Sequence, residues 1–124
     1  MKPLLHHTVG ILLATVVSVV AAKTALAQDP VKLEPNTYKV LLENDRVRVL
    51  EVRQKPGEKG LLHSHPAALV YPLSTSKAKF TSPDGKAVEV EIKAGQVVWN
   101  EAQAHAVETI GSTDTNMLEI ELKK

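Results

Sequence analysis

The sequence has no cysteine in its 124 residues. In an oxidising compartment that excludes disulfide staples, and it removes thiolates as metal ligands. No block of like charge occurs: acidic and basic residues alternate along the chain, which argues against a nucleic-acid partner. Nothing recurs at a fixed period, and no segment is of low complexity. No convincing helical pattern stands out. Aromatics are few, with one Trp, two Tyr and one Phe. The one long apolar run, Val9 to Ala22, is short for a bilayer span.

That run has a basic Lys2 with His6 and His7 in front of it and ends at Ala25-Leu26-Ala27, a small-x-small site. This three-part design is that of a secretory signal, so residues 1–27 are expected to be removed, giving a periplasmic or secreted protein with no membrane span. The chain holds 15 Lys+Arg and 14 Asp+Glu. Lys2 and Lys23 fall in the leader, which leaves 13 against 14 and a net charge of −1 from Gln28 onward. The 97 residues of that part suffice for one domain. With no disulfides, so short a chain has to draw stability from a closed architecture, and a homodimer is expected to help.

Residues 28–36, "QDPVKLEPN", read as an extended arm. From 37 to 124, short strand-like runs alternate with turn signals: "YKVLL", "RVRVLEVR", "AALVYPL", "KAKFT", "AVEVEI", "QVVW", "AHAVETI" and "NMLEIEL". About eight strands at this spacing predict an all-β antiparallel barrel or sandwich. "SPDG" predicts a β-turn, with Pro83 at its second position and Gly85 free to adopt positive φ. Alternation puts Val88, Val90 and Ile92 on one face and Glu89 and Glu91 on the other. In the last run it assigns Leu118, Ile120 and Leu122 to the interior.

Three histidines remain beyond the leader: His63, His65 and His105. In "HSH" both imidazoles lie on one face of a strand, about 7 Å apart along the backbone. If sheet pairing brings His105 over them, three neutral imidazoles converge on one point. Such a set suits a divalent transition metal (Fe, Mn, Ni, Zn or Cu) and leaves a coordination position open. A pocket that keeps the histidines without an ion is the other reading.

Around these histidines the sequence resembles the cupin superfamily. The first cupin motif is Gly, five residues, His-x-His, three or four residues, Glu, six residues, Gly. Gly57, His63 and His65 match it, whereas the Glu position falls on Leu69 (or Val70) and the last Gly near Ser76. The second motif is Gly, five residues, Pro-x-Gly, two residues, His, three residues, Asn. Gly95 and His105 match with one residue removed; Glu101, Gln103 and Thr109 occupy the Pro, Gly and Asn positions. "ENDRVRVLEVR" and "HAVETIG" add to the likeness.

The resemblance implies a cupin-type β-barrel or jelly roll, and either an oxygenase-type enzyme or a non-catalytic periplasmic module that binds a ligand or a metal. Losing the Glu leaves a divalent ion its full +2 charge, which favours a small organic anion as partner. Glu101 or Gln103 is a candidate to supply an oxygen; Gln103 shares the parity of His105, and Glu108 does not. Trp99 and Tyr71 are candidate pocket residues, with ordinary packing as the alternative for Trp99. Leu61, Leu69, Val70, Val97 and Val107 are expected to line the interior. Arg46, Arg48 and Arg53 are able to grip a carboxylate, but alternation with Val47 and Val49 favours a solvated face for the first two. No Ser/His/Asp arrangement is left once the histidines are assigned, and neither "PGEKG" nor "SPDG" has the helix context of a phosphate loop.

Overall fold

Turn chemistry fixes the first hairpin to consider. Gly85 takes φ 86°, and its N–H donates to Ser82 O at 2.9 Å. Only glycine enters that region without strain, so "SPDG" reverses the chain where the sequence places it. The flanking strands pair residue for residue from Ser76↔Ile92 to Thr81↔Ala87. The computed structural model describes residues 28–124, and the leader expected over 1–27 lies outside them.

The described residues form one helical turn and nine strands: α1 (Pro30–Leu33), β1 (Tyr38–Glu43), β2 (Val47–Gln54), β3 (His63–His65), β4 (Ala68–Pro72), β5 (Ser76–Thr81), β6 (Ala87–Ile92), β7 (Val98–Asn100), β8 (Gln103–Thr109) and β9 (Thr115–Leu122). Every strand pairing between them is antiparallel. One sheet has the order β1-β2-β9-β4-β7 and the other β3-β8-β5-β6. The ninth strand arises because "HSH" and "ALVYP" belong to different sheets. Pro66, between them, cannot donate a ladder hydrogen bond, and the chain crosses from one sheet to the other there.

The arm is not extended throughout. Asp29 caps α1 by accepting from Val31 N at 3.0 Å, and Pro30 takes the first helical position, where its missing N–H costs nothing. Pro30 is fully buried, and Gln28 bridges to His63. The two prolines that suggested extension instead start a turn packed against β3.

The apolar core consists of Tyr38, Leu50, Val52, Val70 and Met117, with Val31 against it. Leu50 is wholly buried, worth about 1.5–3 kcal/mol relative to leaving it exposed. A cavity of about 480 Å³ lies between the sheets, lined from one by Val52, Val70 and Met117 and from the other by Phe80, His105 and Val107. Among the described residues, no helix is long and apolar enough to cross a membrane.

On β9 the orientation is opposite to the alternation-based expectation. Met117, Glu119 and Glu121 are buried, whereas Leu118 and Ile120 are half-buried and Leu122 is exposed. Leu61, Leu69 and Val97, expected inside, are exposed; Val70 and Val107 are buried as expected.

Candidate metal centre

Register assembles the histidines. β3 and β8 pair with His63 directly opposite His105 and His65 opposite Gln103. Direct antiparallel partners share a face, and so do residues two apart, so all three imidazoles point the same way. Ring centroids are 4.7 Å apart for His63–His65, 4.9 Å for His63–His105 and 5.4 Å for His65–His105. One ligand nitrogen from each lies within 4.8 Å of the others, and all three residues are buried.

Two of the rings have a fixed tautomer. His63 Nδ1 sits 2.8 Å from Leu61 O, a carbonyl that only accepts, so Nδ1 carries the proton and Nε2 presents a lone pair. The Tyr38 hydroxyl donates to that Nε2 at 3.2 Å, and burial keeps its pKa above the ordinary tyrosine value. His65 Nδ1 faces Glu121 Oε2 at 2.8 Å and Glu119 Oε1 at 3.2 Å, so its proton also lies on Nδ1 and its Nε2 is the ligand atom. Burial lowers the His63 pKa to about 4. His105 falls to about 3, through burial first and then the neighbouring histidines. Neutral imidazole is the form that binds a metal.

Behind these rings is a buried charge network that alternation hid. Arg48 donates from Nε to Glu121 Oε1 at 2.6 Å, and from Nη1 and Nη2 to Asp29 at 2.8 and 3.0 Å. Glu121 therefore holds His65 on one oxygen and Arg48 on the other. Burial opposes its ionisation, but the bonds to His65 and Arg48 prevail and leave its pKa lowered. Far from lying on a solvated face, Arg48 has the parity of Leu50 and Val52. Arg46 and Arg53 are different: the Arg53 guanidinium is exposed and pairs with Glu51. Glu34, just past α1, places Oε2 3.6 Å from His63 Nδ1, and that buried oxygen has no hydrogen-bond partner. The backbone of Gly60 makes room for it, because a Cβ there would sit 3.2 Å from both Glu34 oxygens and 3.0 Å from Val107 O.

The other candidates separate clearly. Gln103 shares the face of His105 and lines the cavity. Glu101 does not turn inward; it accepts the Trp99 indole N–H at 2.8 Å on the exposed surface. Trp99 and Tyr71 lie outside the cavity, on the outer side of the five-stranded sheet. Glu108 points away from His105 and pairs with Lys79 at 3.1 Å.

Solved structures share this architecture. A cupin domain from Bordetella pertussis Tohama I aligns with a TM-score of 0.65 and 29% identity, covering 70% of this chain and 92% of that one. The fold is a cupin fold. A double-stranded β-helix protein from Klebsiella pneumoniae aligns at TM-score 0.56 and 20% identity, over 68% of this chain and 70% of its own. An RmlC-like cupin from Methanocaldococcus jannaschii gives 0.56 at 14%, over 69% and 78%. These two show the fold alone. No protein-family model and no curated protein matches the sequence.

The donor set of this chain fits a divalent transition metal. Three imidazoles converge, two with a proton held on the far nitrogen by a carbonyl or a carboxylate, as metal-ligating histidines usually are. Asp29 and Glu121 are bonded to Arg48, while Glu34 stands beside His63 and Glu119 beside His65.

Proposed function

We propose that this cupin binds a divalent transition metal through His63, His65 and His105 and acts on a small organic anion in the adjoining cavity, as an oxygenase-type enzyme. The convergence of three buried imidazoles at a mainly apolar cavity carries the reading. When bound, the ion supplies Lewis acidity and an open coordination position. The chain's own groups do the rest. Leu61 O and Glu121 keep the protons of His63 and His65 on Nδ1, and the Tyr38 hydroxyl, which donates to His63 Nε2, would give up that bond to an ion. Val52, Val70, Phe80, Val107 and Met117 exclude water from the cavity walls and give a bound molecule an apolar surface. Lys93 at the cavity lining offers a positive charge to an anion.

The same proposal includes export and a homodimer. For the dimer, the support is an apolar row across the outer face of the five-stranded sheet: Leu42, Val49, Ile120, Leu69 and Trp99 stand opposite one another in register. For export it is the leader-like design of residues 1–27.

Elemental analysis of protein purified without a histidine tag tests the metal, with His105→Ala as control. Metal in the wild type and none in the variant is expected; full metal content in the variant would remove His105 from the site. Oxygen uptake with iron restored, over a panel of small carboxylates, tests the chemistry. A ligand that raises Tm with no product formed would make the protein a binding module instead.

A further inference from the structure

We propose that Glu119 is the anionic ligand of this metal centre, reaching the site from the last strand. The inference rests on the metal reading above and names a residue that the motif pattern does not contain.

Leu69, one of the two positions where the motif's glutamate would stand, points outward. Val70, the other, is buried and lines the cavity. In the β4–β9 pairing Val70 is directly opposite Glu119. Direct partners in an antiparallel pair share a face, with Cβ atoms about 4.5–5.5 Å apart. A carboxylate missing from Val70 is therefore present one strand away, facing the same space. Glu119 lines the cavity together with His65 and His105, whereas Glu121 sits behind His65 and does not.

The two glutamates differ in how they are satisfied. Glu121 has Arg48 at 2.6 Å and the His65 proton at 2.8 Å. Glu119 is only 6% exposed, yet among the described residues no Lys or Arg nitrogen lies within 4.0 Å of it. Its carboxylate clusters with His65 and Glu121, ligand atoms within 4.8 Å of one another, and its contact with His65 is to Nδ1 at 3.2 Å, a nitrogen whose single proton already goes to Glu121. An ionised carboxylate buried without a cation is costly. A second orienting carboxylate for His65 would be redundant, and a ligand for a cation is not.

Ligation by Glu119 lowers the charge of the loaded site from +2 to +1. It also adds a hard oxygen to three nitrogens, which shifts preference toward manganese and iron(II) relative to zinc and copper. An anionic partner is still attracted, by one charge instead of two.

The test titrates Mn(II) and Zn(II) separately into tag-free wild type, Glu119→Gln, and the double variant Val70→Glu/Glu119→Val, following Mn(II) by its EPR signal. Thermal melting of each metal-free protein checks folding. Glu119→Gln is expected to melt no lower than the wild type and to lose Mn(II) affinity by roughly a hundredfold, the upper end of the cost of losing a mere orienting partner. Zn(II) affinity should fall less, and the double variant should regain Mn(II). Unchanged Mn(II) binding in folded Glu119→Gln would overturn the assignment. So would equal losses for both ions with no recovery in the double variant, which would make Glu119 a positioning residue only. A folded wild type that takes up neither ion would overturn the metal reading itself.

Discussion

Replacing Arg48 by alanine is the sharpest probe of the buried network. Arg48 leaves 16% of its side chain exposed, Glu121 2% and Asp29 30%. The Glu121 side of the network is thus the desolvated one, and the Asp29 side is open to water. Deleting one member of a buried pair strands the other, at about 3–5 kcal/mol. Because His65 still bonds Glu121 and solvent reaches Asp29, the low end applies, about 3 kcal/mol. For a domain of this size that lowers Tm on the order of 15 °C. The loss also depends on pH. Glu121 has its folded pKa depressed, so it contributes stability above the ordinary glutamate range, and that contribution disappears as pH falls through the folded value. In the variant Glu121 lacks the cation that held its pKa down and protonates earlier, so the gap between the two proteins narrows in acid. Urea denaturation of both proteins at pH 7 and pH 4 measures this. Adding Glu121→Gln to Arg48→Ala should recover part of the loss at pH 7, because the stranded charge is gone. A loss below about 1 kcal/mol at pH 7, the range of a surface pair, would refute the reasoning. A double variant weaker than Arg48→Ala would refute it too.

Two other outcomes are expected. In metal-free protein, His63 and His105 have folded pKa values of about 4 and about 3, below the ordinary 6.5, so each adds stability as pH rises to about 6.5. Glu119, raised to about 7 from 4.5, does the reverse as it ionises. Net, unfolding near pH 5.5 takes up about one proton, and stability should climb by about 1.4 kcal/mol per pH unit from pH 5 to 6. Urea midpoints across that interval check the slope; a flat or falling line is inconsistent with neutral buried histidines. On the outer sheet face, Leu69→Lys should shift the protein from dimer to monomer in light scattering without lowering metal content. A wild type that is already monomeric at tens of micromolar rules out the sheet row as an interface.

The parts legible in the sequence were those with local causes. "SPDG" turns because proline and glycine have fixed backbone preferences at those two positions. "HSH" puts two rings on one face because strand side chains alternate. The convergence of His105 on that face was conditional on sheet pairing, and the β3–β8 register meets the condition. Residues 28–36 read as extended from sequence because Asp29-Pro30 serves both an extended arm and a helix start. What decided between them was long-range: Arg48, nineteen residues on, grips the capping aspartate.

The hidden half of the site follows from a limit of alternation itself. A period of two says which residues share a face but not which face is inside. On β9 the usual rule, apolar inward, would have put Leu118, Ile120 and Leu122 in the core. It failed because this barrel has a polar, charge-bearing interior at one end and an apolar outer face over the same strands. β2 could have resolved the ambiguity: Arg48 has the parity of Leu50 and Val52, so either the arginine or the leucine had to be on the unexpected side. An arginine forced inward requires a buried acid, and the register Arg48↔Glu121 supplies one across the β2–β9 ladder. Once Glu121 is inside, Glu119 must be as well, since a one-residue slip would turn every side chain of the strand over. The glutamates of β9 are therefore fixed in place by the same arginine that alternation assigned to solvent.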